Sequence, residues 1–466
     1  AISSQERRTA VIERSPMSYL SLKRRMPLLP LIALLVAMKA PGQETIQYGS
    51  AAGRVTDQTG AVIRGAQVAA RHTATNLTRT ALTDDDGRFL LSYLRLGAWE
   101  ITISNTGFAD AKRQVAVSVG SAFDLPIVLG VASAEPSLTV AGDVAVLEAA
   151  RTQVAGTVTQ TEVRTIPLSG RNFLDLALLI PGVSPTNTAS NQLFAETSAV
   201  PGQGLSVSSQ RNFSNSFIVD GLSANDDAAG LSGVFYGLDV VNEFQVVTSG
   251  GQAEFGRALG GYMNVVTKSG TNTLHGDLYA YLRNRRLNAA NSLSHSVLPL
   301  TQAQYGASLG GPVVKDRTFY FANAEGRALN QSGLITIAPA NVTAINNRLT
   351  AVGYRGPLIS TGLYPNPVHN ANVLAKVDHQ WNAKDQFSAR YSLYEVHSRN
   401  SRGAGALNAA SASAGLDNTD QTIALSNIAT ITPALVNETR GQFTHSDLAA
   451  PPSDPIGPAV SISGVA

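Results

Sequence analysis

The chain has 466 residues, a formal net charge of +2 and no cysteine. The near-neutral charge gives no electrostatic case for nucleic-acid binding, and the lack of cysteine excludes disulfides, thiolate catalysis and cysteine-based metal sites. Charged residues make up only 15% and aromatic residues 6% of a composition that contains 41 glycines, which favours a β-rich, turn-rich protein over a helical one.

Residues 1–45 are predicted to be a leader that contains a signal peptide. Lys23, Arg24 and Arg25 form a basic region, Leu28–Ala37 form a short apolar core, and Ala40 begins a predicted cleavage zone. A buried helix is the alternative interpretation of the apolar run. The run is shorter than the roughly 20 residues that a membrane-spanning helix needs. Any crossing of a membrane by this chain is therefore predicted to use a β-barrel.

Residues 46–130 contain short segments of alternating polarity separated by turn residues, which predicts a β-sandwich. Examples are AGRVTD, TRTALTDDDGRFLL and GAWEITISNTGF. Asp84, Asp85 and Asp86 invite comparison with a calcium loop, but contiguous aspartates lack its alternating ligand spacing. We interpret them as a hairpin turn in which Gly87 takes a positive φ.

The same region resembles the carboxypeptidase regulatory-like, transthyretin-type domain. The residues that carry the resemblance are Gly53, Val55, Asp57, Gly60, Gly65, Val68, Thr83, Asp84, Gly87, Phe89, Gly97, Ile101, Gly107 and Phe108. The seven histidines form no H-x-x-E or H-E-x-x-H frame, so no zinc peptidase site is predicted. We expect no enzyme activity, no catalytic residue, no metal ligand and no cofactor. Likeness to carbohydrate-binding sandwiches keeps glycan binding as an alternative, although fold alone does not confer binding.

Residues 131–161 are predicted to be a linker, and residues 162–270 to be a small α+β domain. Near its start, Ile166–Phe173 precede a helical run, Leu174–Ile180, and the strand-like FIVDG follows later. Its last part, NEFQVVTSGGQAEFGRALGGYMNVVTKSG, predicts two strands joined by a loop whose glycines permit close backbone approach.

This second domain resembles the plug of TonB-dependent outer-membrane receptors. The residues that match the end of such plugs, in order, are Glu243, Phe255-Gly256, Gly260-Gly261, Asn264 and Thr267-Lys268. The family's usual Arg-Gly-Pro is replaced by Thr248-Ser249-Gly250. This replacement and the stretch LSGRNFLDLALLIPGVSP are typical of the Oar-like branch of these receptors.

Residues 271–466 contain segments of about ten residues that alternate in polarity, which is typical of a transmembrane β-barrel. Lys315–Arg317, Asn382–Asp385 and Thr432–Ala434 are predicted to be short turns, and Ser398–Thr419 a long outward loop. The predicted fold class is mainly β: an N-terminal β-sandwich, a small α+β plug and the first part of an antiparallel transmembrane β-barrel. Receptors of this family have about 22 strands, so the resemblance implies a C-terminally truncated receptor.

The resemblance implies an outer-membrane TonB-dependent receptor or transporter for an unidentified ligand, with carbohydrates and oligopeptides as candidate classes. The N-terminal domain would lie in the periplasm. The implied partners are the TonB-ExbB-ExbD energising complex, outer-membrane lipid and an unknown extracellular ligand. The alternative is an outer-membrane adhesion or carbohydrate-binding protein without energised import.

Two sets of residues are candidate functional sites by this resemblance. The candidate TonB-contact segment consists of Leu138, Thr139, Val140, Ala141 and Gly142, which would pair with TonB by strand addition. An ordinary linker strand is the alternative interpretation. Glu254 and Arg257 are candidates for ion pairs between plug and barrel, although a surface pair would contribute little.

Overall fold

The computed structural model describes most of the chain from residue 47 onward. The described residues are 47–132, 153–168, 171–186, 204–226, 231–232, 236–251, 253–256, 258–290, 295, 297–432, 435–457 and 460. The predicted leader, residues 1–45, and the candidate TonB-contact segment, Leu138–Gly142, lie outside them.

The N-terminal region folds into two four-stranded sheets packed as a sandwich. Its strands are β1 (Gly49–Asp57), β2 (Gln67–His72), β3 (Thr78–Leu82), β4 (Arg88–Leu94), β5 (Gly97–Ser104), β6 (Ala111–Val117), β7 (Ala122–Asp124) and β8 (Ile127–Leu129). One sheet has the order β4-β1-β7, with β8 also pairing with β1, and the other has the order β3-β2-β5-β6. Trp99, Ile101 and Ile103 alternate along β5 and are fully buried. The period-two pattern of apolar residues therefore builds the core.

The turn at Asp84–Gly87 has the predicted local geometry but connects different sheets. Gly87 has a φ of +71°, and Asp84 Oδ1 accepts hydrogen bonds from the backbone N–H groups of Asp86 and Arg88, as in an Asx turn. The flanking strands β3 and β4 belong to opposite sheets, so the prediction of a hairpin is wrong. Each strand places its apolar face against the shared core by pairing with a different partner.

Between residues 153 and 270 lies a second domain, called here the central domain. Its strands are β9 (Val154–Val158), β10 (Val183–Pro185), β11 (Leu205–Val207), β12 (Ser216–Val219), β13 (Leu222–Ser223), β14 (Asn225–Asp226), β15 (Leu231–Ser232), β16 (Val241–Ser249) and β17 (Tyr262–Thr267). An α-helix, Gln160–Thr165, begins at a capping box between Thr159 and Glu162. Short 3₁₀-helices span Phe173–Leu179, Asn212–Ser214, Leu238–Val240 and Ala253–Phe255. The helical run predicted at Leu174–Ile180 is therefore a 3₁₀-helix.

A five-stranded sheet with the order β13-β12-β17-β16-β9 organises the central domain. β16 and β17 pair antiparallel from Val247↔Tyr262 to Val241↔Thr267, which confirms the two strands predicted around the Gly-rich loop. β12 runs parallel to β17. Phe173 and Phe244 are buried against each other in an edge-to-face contact, with ring centroids 6.1 Å apart. The 3₁₀-helix therefore packs directly onto this sheet.

From His275 onward the chain forms one eight-stranded sheet. Its strands are β18 (His275–Asn284), β19 (Leu300–Val314), β20 (Thr318–Ile335), β21 (Gly362–Pro365), β22 (Val368–Gln380), β23 (Asp385–Arg402), β24 (Ala414–Thr432) and β25 (Leu435–Ala449). Their order is β18-β19-β20-β22-β23-β24-β25, with β21 paired to β20, and every pair is antiparallel. The longest helix here is Pro339–Ala351. Among the described residues, no helix is long and apolar enough to span a bilayer.

The connections of this sheet are short at one end and long at the other. Lys315–Arg317 join β19 to β20, and residues 381–384 join β22 to β23, as predicted. The loop predicted at Ser398–Thr419 is shorter than expected, because pairing continues to Ser398↔Leu416 and Arg402↔Ala414. Backbone hydrogen bonds extend the strands through polar residues, whose side chains do not hinder pairing. Of the third predicted turn, Thr432–Ala434, only Thr432 is described.

The buried face of the sheet is polar and the exposed face is apolar, which is the reverse of a soluble protein. Along β22, Asn370, Asn372 and Asp378 are buried, whereas Val373 and Val377 are 37% and 41% exposed. Alternation with apolar residues outward and polar residues inward is the pattern of a transmembrane barrel wall. The polar face of the sheet is covered by the central domain.

Candidate functional site: the interface between the central domain and the sheet

The central domain packs directly onto the polar face of the eight-stranded sheet. Phe321 of β20 and Leu374 of β22 are buried in the apolar core of the central domain. Gly270, just after β17, passes so close to the backbone of Gly311 and Tyr320 that a Cβ atom would clash with both carbonyl oxygens. A glycine is required at this position because the two backbones are in contact.

A buried charge cluster, called here the Asp220 cluster, joins the two parts. Asp220 follows β12 in the central domain, and Lys376 and Arg390 project from the neighbouring strands β22 and β23. The Asp220 carboxylate accepts hydrogen bonds from Arg390 Nη1 at 2.7 Å, from Thr267 N at 2.9 Å and from Thr267 Oγ1 at 2.7 Å. Lys376 Nζ lies 3.4 Å from Asp220 Oδ1 and 3.1 Å from Thr267 Oγ1. All four residues are less than 9% exposed.

The electrostatics of the Asp220 cluster favour the charged carboxylate. Burial by itself would raise the pKa of Asp220, but Lys376, Arg390 and the hydrogen bonds from Thr267 outweigh burial and hold this pKa well below its usual value. A lowered carboxyl pKa stabilises the folded state above the pKa of the unfolded chain, about 3.9. The contribution is lost as the pH falls below that value. The cluster is therefore fully formed near neutral pH.

A second polar contact lies around Arg171 of the central domain. Arg171 Nη2 is 2.7 Å from Asp239 Oδ2, and the Arg171 guanidinium lies over the ring of Tyr281 in β18, 3.7 Å from its centroid. The ring of Tyr281 thus packs on a guanidinium that an aspartate already orients. This contact ties the start of the central domain to the first strand of the sheet.

Glu254, one of the two candidate ion-pair residues, lies beside the last strand of the sheet. Glu254 Oε1 is 3.2 Å from Arg440 Nη2 of β25. Arg440 also contacts Glu438 and donates to the carbonyl oxygen of Gly221 at 3.1 Å. Burial raises the pKa of Glu254, and Arg440 opposes this rise only in part. The other candidate, Arg257, lies outside the described residues.

We predict a small effect of Glu254→Gln, below about 1 kcal/mol in the free energy of unfolding. The Glu254 side chain is 30% exposed, so solvent screens the pair, and the glutamine carbonyl still accepts from Arg440. Denaturant unfolding of the purified protein in detergent measures the difference. A loss above about 2 kcal/mol would show that the pair behaves as a buried one.

The backbone of Val119 in the sandwich forms hydrogen bonds with two side chains of the central domain. Glu243 Oε2 accepts from Val119 N at 2.8 Å, and Gln245 Nε2 donates to Val119 O at 2.9 Å. Both side chains belong to β16 and are buried, at 8% and 0% exposure. Burial raises the pKa of Glu243 to about 7, and the hydrogen bond from Val119 lowers it only in part. We call this contact the Val119 clamp.

The sandwich also contacts the sheet at its short-turn end. Arg95 Nη2 lies 2.7 Å from Asp378 Oδ1; the Asp378 side chain is buried and that of Arg95 is half-buried. Arg79 Nη1 donates to the carbonyl oxygen of Ala383 at 2.8 Å, and Asn76 Nδ2 donates to Asp316 Oδ1 at 2.8 Å. Ala383 and Asp316 belong to two short turns, so the sandwich lies at that end.

Sequence reasoning did not identify the Asp220 cluster or the Val119 clamp. In the sequence, Asp220 is simply part of the strand-like FIVDG, and Glu243 is one residue of the plug pattern. Thr267, Lys376 and Arg390 lie 47, 156 and 170 positions from Asp220 in the chain. One signal was available in the sequence. The alternating pattern of β22 places Lys376 on the inner face of the sheet, and a lysine there suggests a buried partner. Within the described ranges, no group of three or more histidine, aspartate or glutamate side chains is placed to hold a metal ion.

Comparison with known proteins gives two domain matches. Residues 266–350 and 360–465 match the family described as "Outer membrane beta barrel domain", and residues 50–130 match "Carboxypeptidase regulatory-like domain". The chain therefore contains a region similar to each of these two domains, and it is located in the outer membrane.

The chain is a homologue of the TonB-dependent transporter Oar of Myxococcus xanthus. The two are 31% identical over 160 residues, which cover 33% of this chain and 14% of Oar. Among solved structures, the outer membrane transporter YddB from Escherichia coli gives a TM-score of 0.45 at 14% identity, covering 62% of this chain and 38% of YddB. The siderophore receptor PirA from Pseudomonas aeruginosa gives 0.42 at 13% identity, covering 64% and 41%. The chain thus matches less than half the length of each of these proteins.

Proposed function

We propose that this chain is part of a TonB-dependent outer-membrane receptor that imports an unidentified ligand. In this proposal residues 46–130 are a periplasmic domain, 131–161 a linker, 162–270 the plug and 271–466 the N-terminal part of the barrel. The observation that carries it is a membrane-type sheet whose polar face is filled by a separate domain. That domain is held by buried charges from adjacent strands. Oar is described as a TonB-dependent transporter, which supports the same activity here.

The position of the sandwich supports the orientation of the chain. The sandwich contacts the short turns at Asp316 and Ala383, and short turns face the periplasm in outer-membrane barrels. The long connections of the sheet then face outward, where a ligand arrives. A pull from the periplasm on the linker would act on the plug and disturb the contacts that fix it to the barrel. Import therefore requires rearrangement of this interface.

We further propose that Leu138–Gly142 bind TonB by strand addition. TonB would act here as a component of the TonB-ExbB-ExbD complex. Such pairing depends on backbone hydrogen bonds more than on side chains. Val140→Pro removes a backbone donor and fixes φ, so it should reduce binding of the C-terminal domain of TonB at least tenfold. Val140→Ala, the matched control, should bind within about twofold. Calorimetry with the purified protein in detergent measures both.

Equal TonB binding by the Val140→Pro and parent proteins would contradict this assignment. If neither protein binds TonB, the alternative is favoured, namely an outer-membrane adhesion or carbohydrate-binding protein that retains plug and barrel without energised import. The Glu254–Arg440 pair, and Arg257 with it, remain proposed plug–barrel contacts.

A further inference from the structure

A cavity of about 550 Å³ lies among the long connections of the sheet. Its walls come from three segments: the one after β20 with the helix Pro339–Ala351, the loop between β23 and β24, and the segment after β25. The sandwich contacts the opposite, short-turn end of the sheet. By the proposed orientation, the cavity therefore faces outward. Pockets of about 300–1,000 Å³ suit small molecules.

The three walls are joined to one another by hydrogen bonds. Asn346 Nδ2 donates to Ile359 O at 2.9 Å, and Ile359 N donates to Asn346 Oδ1 at 3.0 Å, which fixes the helix to its own loop. Thr336 N donates to Ala406 O at 2.7 Å, which joins this segment to the β23–β24 loop, and Ser453 N donates to Ser413 O at 2.9 Å. The cavity is thus preformed, which lowers the entropic cost of binding.

The lining is mostly apolar with one charged group. Asn341, Ile345 and Leu349 lie four residues apart along one face of the helix and line the cavity together with Ile359 and Leu407. Among the described residues that line the cavity, Asp454 is the only one with a formally charged side chain.

Asp454 is held in one orientation by its neighbours. Its Oδ1 accepts from Ile456 N at 2.9 Å, and its Oδ2 accepts from the hydroxyl of Tyr354, which also lines the cavity. These bonds leave acceptor capacity on Oδ2, because a carboxylate oxygen accepts more than one hydrogen bond. A donor or cation that enters the cavity therefore meets an oriented negative charge beside apolar walls.

We propose that this cavity binds a small amphiphilic molecule with an apolar body and a single protonated amine. The apolar body would occupy the space between Leu349, Ile359 and Leu407, and the amine would pair with Asp454. A carboxylate of the same size would be repelled by the Asp454 carboxylate, and the described residues of the lining offer it no cation. The inference uses the proposed function only for the outward orientation; binding itself does not depend on TonB.

The test uses two probes with the same phenylethyl body and opposite charge, phenethylamine and 3-phenylpropionate, on the full chain in detergent. Saturation-transfer NMR titration should show phenethylamine binding at least tenfold tighter than 3-phenylpropionate. Leu349→Trp places an indole in the space proposed for the apolar body and should abolish the binding of both probes. Asn347→Trp, on the exposed face of the same helix, is the matched control and should bind as the parent does. Asp454→Asn should remove the preference for the amine and retain weak binding of both probes.

Equal affinity of the parent for the two probes overturns the proposal, as does amine binding that survives Leu349→Trp. If Leu349→Trp does not fold, Asp454→Asn decides. Loss of the preference for the amine supports the proposal, and persistence of that preference overturns it. A separate titration of Val140→Pro keeps this inference distinct from the proposed import. That variant should bind phenethylamine normally even where it no longer binds TonB.

Discussion

Asp220→Ala is expected to destabilise the protein by about 3–5 kcal/mol, the cost of leaving buried charges without a partner. Removal of the carboxylate leaves the buried cations of Lys376 and Arg390 facing each other across a cavity. Thr267 loses two hydrogen bonds at the same time. Because the partners lie on different domains, the loss should appear first as release of the central domain from the sheet. Denaturant unfolding in detergent, combined with limited proteolysis of the central domain, measures both effects.

The matched control replaces the whole Asp220 cluster by apolar side chains of similar length. The triple variant Asp220→Leu, Lys376→Met, Arg390→Met removes all three charges together. Since replacing a buried ion cluster with apolar residues is often nearly neutral, we expect most of the lost stability to return. A single Asp220→Ala variant that loses less than about 1 kcal/mol would contradict the view that the cluster holds the two domains together.

Glu243→Gln is expected to remove a pH dependence of stability. The pKa of Glu243 is raised from 4.5 to about 7 by burial, so the folded protein binds a proton that the unfolded chain releases. The stabilising contribution is complete below pH 4.5 and is lost as the pH rises to about 7. The difference amounts to about 3 kcal/mol. A glutamine side chain is neutral at every pH, and its carbonyl oxygen still accepts a hydrogen bond from Val119 N. The variant should therefore be more stable than the parent at pH 8.

Unfolding free energies at several pH values between 5 and 8 test this expectation. Glu100→Gln is the matched control, because Glu100 lies on the sandwich surface and pairs only loosely with Arg71, at 3.7 Å. The control should keep the slope of the parent. If Glu243→Gln keeps the slope as well, the Val119 clamp is not the titrating contact.

The parts of the fold that local chemistry determines could be predicted from the sequence. Period-two apolar patterns predicted the sandwich strands, and Lys315–Arg317 predicted a tight turn, because these signals reside in adjacent residues. Errors arose where pairing partners decide the outcome. The Asp84–Gly87 turn joins two sheets, and Ser398 lies in a strand. In both places the local pattern permits two arrangements, and distant strands select one.

The candidate site was harder to predict for the same reason. Asp220 acquires its role only when the sheet wraps the central domain and brings Lys376 and Arg390 to it. An isolated aspartate after a strand is, on sequence grounds, an ordinary turn residue. Glu243 was identified as a landmark of the plug pattern, but its contact with Val119 depends on how the sandwich docks. The candidate site therefore lies between domains, where sequence periodicity gives little information.

The strand order of the central domain determines how it would respond to a mechanical load. β9 is the edge strand of its sheet, and Val154 at its start is 64% exposed. A pull on the preceding chain would open the pairs with β16 one after another, from Ser249↔Val154 to Phe244↔Val158. Sequential opening of a poorly buried edge needs less force than shearing a whole strand at once. The part of the central domain that would open first is therefore distant in the sheet from β12 and Asp220, which would still hold the remainder in place.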